Sequence, residues 1–124
     1  MKAYLRPFFV GKTCETLYML ALDNAIRPID CILISEGSVR SSDVDFRKIT
    51  EHVLRTKASS VVLAHNHPRG QPIPSAEDIE VTKFAHKHLK ALDVLLIDHL
   101  IFNDYDVLSF RESGYSFIDE RPRR

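Results

Sequence analysis

The sequence predicts an α/β fold, a single domain with a mixed β-sheet flanked by helices. Three observations predict it. The 124 residues can bury one core and are too few for a second. Apolar runs of strand length alternate with two stretches of helical periodicity, in the order β-β-α-β-α-β-β. One of those strands, "SSVVLAH", is apolar at consecutive rather than alternate positions, the pattern of a strand covered on both faces.

Each element has its own signal. "ETLYMLALD" (Glu15 to Asp23) is apolar and aromatic and runs into the turn-like "DNAIRP", so it reads as a strand with "IDCILIS" (Ile29 to Ser35) as its hairpin partner. In "SSDVDFRKITEHVLRTK", Phe46, Ile49, Thr50 and Val53 fall at helical spacing, with Ser42 or Asp43 as the candidate N-cap. "SSVVLAH" (Ser59 to His65) follows as the buried strand. "PSAED" then opens the second helix, with Ser75 as N-cap and Asp78 at the capping-box position. Val81, Phe84, Ala85 and Leu92 should form its inward face. "DVLLIDHLIF" (Asp93 to Phe102) is another buried strand, "NDYD" a turn, and "VLSFRESG" a short last strand or extended segment.

Seventeen basic residues balance seventeen acidic ones, which argues against a nucleic-acid or anionic-lipid partner. The locally basic end, "ERPRR", reads as a frayed, solvated tail. Cys14 and Cys31 have no CxxC spacing, so neither a disulfide scaffold nor a cysteine zinc site is expected, and a reducing cytoplasm is. No apolar run reaches membrane-spanning length.

The chemistry concentrates in "VVLAHNHPRGQPIPSAED". Side chains two apart on an extended chain point the same way, so His65 and His67 can aim both imidazoles at one point while Asn66 faces away. The loop from Pro68 to Pro74 can fold the next helix back and bring Asp78 to the same place. Two imidazoles and a carboxylate suit Zn²⁺, one per chain, with a fourth position left for water. Asp98 and His99 interrupt an apolar strand, so at least one faces the core or the site, either orienting a ligand from behind or forming a buried pair. His52, His86 and His88 are read as solvated helix faces, and Cys14 as a small buried hydrophobe.

"HNHPRGQPIPSAED" resembles the JAMM signature, HxH, seven residues, serine, two residues, aspartate, of the MPN+ (JAB) metallopeptidases. With "LLIDHLIF" the wider run is similar to the RadC family in particular, over Thr13 to Gly114. The resemblance implies a single MPN/JAB-type domain at residues 1–115 with a curved mixed sheet of cytidine-deaminase-like architecture, followed by a C-terminal tail at 116–124. It also implies His65, His67 and Asp78 as zinc ligands, Ser75 as the hydroxyl supporting the tetrahedral intermediate, and an upstream glutamate as general acid/base. Glu15, at the start of a strand, and Glu36, in "ISEGS", are the two candidates; Glu15 is preferred because a strand start fixes position better than a turn.

The activity so implied is zinc-dependent peptidase or isopeptidase-like hydrolysis of a peptide or protein substrate. The alternatives are an MPN-type binding module without turnover, or a RadC-like DNA-associated protein. The chain begins almost at the domain, without the helix-hairpin-helix region usual in RadC relatives, and this together with zero net charge weakens the DNA reading. An HNH nuclease is set aside, because nucleases of that name disperse the three residues over a hairpin and helix. Exposed strand edges would allow a homodimer.

Overall fold

β1 (Thr16–Leu22) organises the sheet, since it pairs on both sides. β2 (Pro28–Glu36) and β3 (Ser60–Asn66) flank it, both antiparallel. β4 (Leu95–Phe102) runs parallel to β3, and β5 (Val107–Ser109) returns antiparallel on β4. The result is a five-stranded mixed sheet in the order β2-β1-β3-β4-β5. This computed structural model describes residues 1–119. The "ERPRR" tail therefore lies outside the described residues.

Among the described residues three α-helices accompany the sheet: α1 (Lys2–Leu5), α2 (Phe46–Thr56) and α3 (Ala76–Ala91). A parallel pair cannot be joined by a hairpin, and α3 supplies the crossover from β3 to β4. The alternation of each strand sorts its side chains between two cores. Leu17 and Met19 of β1 and Val61 and Leu63 of β3 meet Ile49 and Val53 of α2 and Val81, Ala85 and Leu89 of α3. Leu20, Leu22, Val62 and Ala64 point the opposite way, onto Leu5 and Phe9. The consecutive apolar run of β3 is thus explained: both of its faces are covered.

The mixed α/β class read from the sequence is the class observed, and the differences are local. At the N-terminus, where the sequence reading placed no element, α1 and a 3-10 turn at Arg6–Phe9 seal the second face of the sheet. α2 starts later than Ser42 or Asp43. Those residues form a separate 3-10 turn, and Asp45 is the N-cap, its carboxylate accepting from Lys48 N at 3.2 Å. Phe84 does not face inward, because the buried stripe of α3 follows Asp78, Val81, Thr82, Ala85 and Leu89, which leaves Phe84 53% exposed. His52 is buried rather than solvated, with Nε2 at 3.3 Å from the Asp30 carbonyl. Cys14 is exposed, because it precedes β1 and has no strand neighbour to cover it.

Past residue 115 the chain still packs. Ile118 lies against the helix-side core, and the Asp119 carboxylate accepts from Leu96 N at 3.0 Å.

Candidate metal centre

His65 follows Val61 and Leu63 at strand period, so its ring points to the same face as theirs, beneath α3, and is fully buried. Asn66 points the other way. Its Oδ1 accepts from Thr16 N at 2.7 Å and its Nδ2 donates to the Cys14 carbonyl at 3.1 Å, fastening the start of β1 to the end of β3. His67 lies one residue beyond the strand, anchored by its N–H to the Phe102 carbonyl at 2.8 Å, and its ring swings to the His65 side. The two Nε2 atoms face each other at 3.1 Å.

The loop after His67 folds back so that α3 begins beside them. Ser75 and Asp78 form a reciprocal capping box: Ser75 Oγ accepts from Asp78 N at 3.0 Å, and Asp78 Oδ2 accepts from Ser75 N at 2.9 Å. The same carboxylate reaches His65 Nε2 at 3.1 Å through Oδ1 and His67 Nε2 at 3.0 Å through Oδ2.

Glu15 arrives through register. Leu17 opposes His65 across the antiparallel pair, and continuing two residues sets Glu15 opposite His67. Its Oε1 lies 3.9 Å from His67 Nε2. Glu36 ends the edge strand β2, exposed and outside the cluster. One candidate ligand atom from each of Glu15, His65, His67 and Asp78 lies within 4.8 Å of the others.

The donor chemistry fits a cation. His67 Nδ1 contacts the Gln71 carbonyl at 2.8 Å, and a carbonyl only accepts, so Nδ1 carries the proton and a neutral ring turns a bare Nε2 to the cluster. Burial by itself would raise Asp78, but the hydrogen bonds it accepts from Nε2 of the His65 and His67 rings when these take up a second proton overcome this and hold the carboxyl well below the usual carboxylate range. The Asp78 hydrogen bond in turn raises His67. Two ring nitrogens and two carboxylates converging this closely, with the buried ones in a medium that penalises lone charge, make an electron-rich pocket that protons or a metal ion must balance.

Asp98 and His99 part company. Asp98 makes no hydrogen bond to the cluster; Oδ1 accepts from His99 N at 2.8 Å and Arg111 N at 3.0 Å, and Oδ2 accepts from Ser109 Oγ at 2.6 Å, which folds the segment after β5. His99 is fully buried, with Nε2 at 2.7 Å from His65 Nδ1 and Nδ1 at 2.6 Å from Thr82 Oγ1. Thr82 carried no signal in the sequence beyond its place four residues after Asp78.

The cluster opens into a cleft of about 230 Å³ lined by Glu15, Gly37 to Arg40, Ser75, Glu77 and Asp78. The Gly37 N–H donates to the Glu15 carbonyl at 2.7 Å, which ties this wall to the glutamate.

Sheet, crossover helix and histidine-bearing strand end are together consistent with a single JAB-type domain. The chain belongs to the RadC-like JAB domain family, whose model matches residues 1–115. That membership relates it to the JAMM proteins, and the four-residue group fits a JAMM-type metal site. The UPF0758 protein of Photobacterium profundum is 35% identical over 112 residues, 90% of this chain and 50% of that protein. The UPF0758 protein of a Janthinobacterium species is 36% identical over 115 residues, 93% of this chain and 51% of that one. For the UPF0758 protein of Vibrio atlanticus the figures are 33% over 114 residues, 92% and 51%. The chain spans about half the length of the curated relatives it matches.

Proposed function

We propose that the chain is a zinc-dependent metallopeptidase or isopeptidase-like hydrolase that cleaves an amide bond of a peptide or protein. The observation that carries the proposal is the convergence of His65, His67 and Asp78 with a fourth, partly exposed group, Glu15, at the mouth. A purely structural zinc is usually enclosed by four protein ligands. Three ligands with an acid standing off at the open side suit catalysis. His65, His67 and Asp78 would hold the ion, and two imidazoles with one carboxylate favour zinc over harder cations.

Bound there, zinc would supply a Lewis acid and an acidified water. Glu15 takes the proton of the attacking water and delivers it to the leaving amine. Ser75 has the hydrogen-bond pattern for an oxyanion donor: its oxygen already accepts from Asp78 N, so its hydroxyl proton is free to point into the cleft. Asp78 keeps the two imidazoles aimed at one point. The free cysteines Cys14 and Cys31 support a reducing cytoplasmic setting, and no helix among the described residues is long and apolar enough to cross a membrane. The balanced charge supports a protein rather than a nucleic-acid substrate.

The test is a peptide-library digest by zinc-loaded protein, with a chelator control and a Glu15→Gln variant. The variant should bind zinc like the wild type and lose roughly 10²- to 10⁴-fold in rate, the usual worth of a positioned acid/base. Full activity in Glu15→Gln would remove Glu15 from the mechanism. A zinc-loaded wild type that binds library peptides and cuts none of them would replace the hydrolase with a binding module.

A further inference from the structure

We infer that Thr82 and His99 are positioning residues of the candidate metal centre: a one-directional hydrogen-bond chain from the Asp78 carbonyl through Thr82 and His99 fixes the His65 ring as the tautomer that presents a bare Nε2. The inference rests on the metal-binding part of the proposed function. Its geometry is independent of Glu15, of Ser75 and of any substrate.

The direction of the chain follows from proton counting. Thr82 Oγ1 lies 2.6 Å from the Asp78 carbonyl and 2.6 Å from His99 Nδ1. A hydroxyl has one proton and a carbonyl none, so the short oxygen-oxygen contact is a hydrogen bond only if Thr82 donates to Asp78. Thr82 must then accept from His99 Nδ1–H. His99 is fully buried and touches no carboxylate, so its ring is neutral and its Nε2 carries no proton. The 2.7 Å contact between His99 Nε2 and His65 Nδ1 is therefore donated by His65. With its proton on Nδ1, His65 presents a lone pair on Nε2, 3.1 Å from both His67 Nε2 and Asp78 Oδ1. The Gln71 carbonyl sets the same tautomer on His67 from the opposite side.

Two features show how the fold places this chain. The register between β3 and β4 shifts by one residue, from Val61 opposite Leu96 to Val62 opposite Asp98. Leu96 belongs to the helix-side core and Ile97 to the other. Without the shift His99 would follow Ile97; with it, His99 turns under α3 to meet Thr82. Re-aiming a side chain is what a bulge does beside a site. The Asp98 clamp on Ser109 and Arg111 then holds Phe110 flat against the His99 ring, with centroids 4.7 Å apart and planes 16° from parallel. Because the chain starts on the backbone of Asp78 and ends on the ring of His65, the two ligands cannot move independently.

The test needs no substrate. Nitrogen-15 imidazole spectra of metal-free wild-type protein should show His65 protonated at Nδ1 and bare at Nε2. Titration with Co²⁺, followed by its visible ligand-field bands, should show affinity reduced roughly 10- to 100-fold in Thr82→Val and restored in Thr82→Ser, the range expected when support behind a metal-bound histidine is lost. His65 protonated at Nε2 in the metal-free wild type would overturn the inference. So would a folded Thr82→Val protein that keeps wild-type Co²⁺ affinity and spectrum while losing only thermal stability. A wild type that takes up no metal would refute the proposed function, and the tautomer measurement would still decide this point.

Discussion

Asp78 shows how one side chain can serve local structure and chemistry together. Its carboxylate completes the capping box of α3 and binds both histidines, so Asp78→Asn should weaken metal uptake far more than it melts the helix. The signs of the pH dependence follow from its partners. A His67 raised in the folded state contributes stability that is complete below the ordinary histidine value of about 6.5 and is lost as pH rises through the raised value. In chelator-treated protein, the Tm gap between wild type and His67→Asn should therefore narrow as pH rises above about 6.5 and through the raised His67 value; a widening gap would contradict the assignment. The cysteines should separate by reactivity. Burial, with Asp30 nearby, pushes the Cys31 thiol up to about 12, whereas Cys14 is exposed. Alkylation at about pH 8 should label Cys14 rapidly and Cys31 slowly. At this scale the sequence spoke through spacing: His65, His67, Ser75 and Asp78 were legible because strand period and a capping signature place them. Thr82 was not, since a threonine on a helix reads as ordinary until the strand beneath it is known. His52 misled because a histidine among charges looks solvated.

Among the elements, α3 was legible at its start and misread along its face. Ser75 and Asp78 announce the N-terminus, but the stripe that faces the sheet is set by where Asp78 and Thr82 must point, and Phe84 falls outside it. Leu89→Ala should cost about 2–5 kcal/mol, as truncations of fully buried leucines do, while Phe84→Ala should stay within about 0.5 kcal/mol. α2 offers a second check. Asp45→Ala should destabilise by about 1 kcal/mol because its carboxylate caps Lys48 N, and Ser42→Ala should change little. Urea denaturation of the four variants would read all of these. Boundaries such as that of α2 depend on which of several acids and serines the backbone selects, and in "SSDVD" composition alone gave no preference.

For the whole molecule, the alternation of strands and helices and the covered β3 made the α/β class legible. The sheet order was not, since pairing is decided by contacts far apart in sequence. The candidate metal site comes together only because β1 lies beside β3: that neighbourhood sets Glu15 across from His67, fifty-two residues away. The role of the N-terminal segment was hidden for the same reason, for Leu5 and Phe9 have meaning only against the second face of the sheet. Whether these distant residues form one metal site is decided by equilibrium dialysis of purified protein against Zn²⁺ with elemental analysis. The wild type and Glu15→Gln should each hold one zinc per chain, and His65→Ala or Asp78→Ala proteins that remain folded should retain none. Wild-type protein without zinc, or folded His65→Ala and Asp78→Ala proteins that keep a full equivalent, would contradict it.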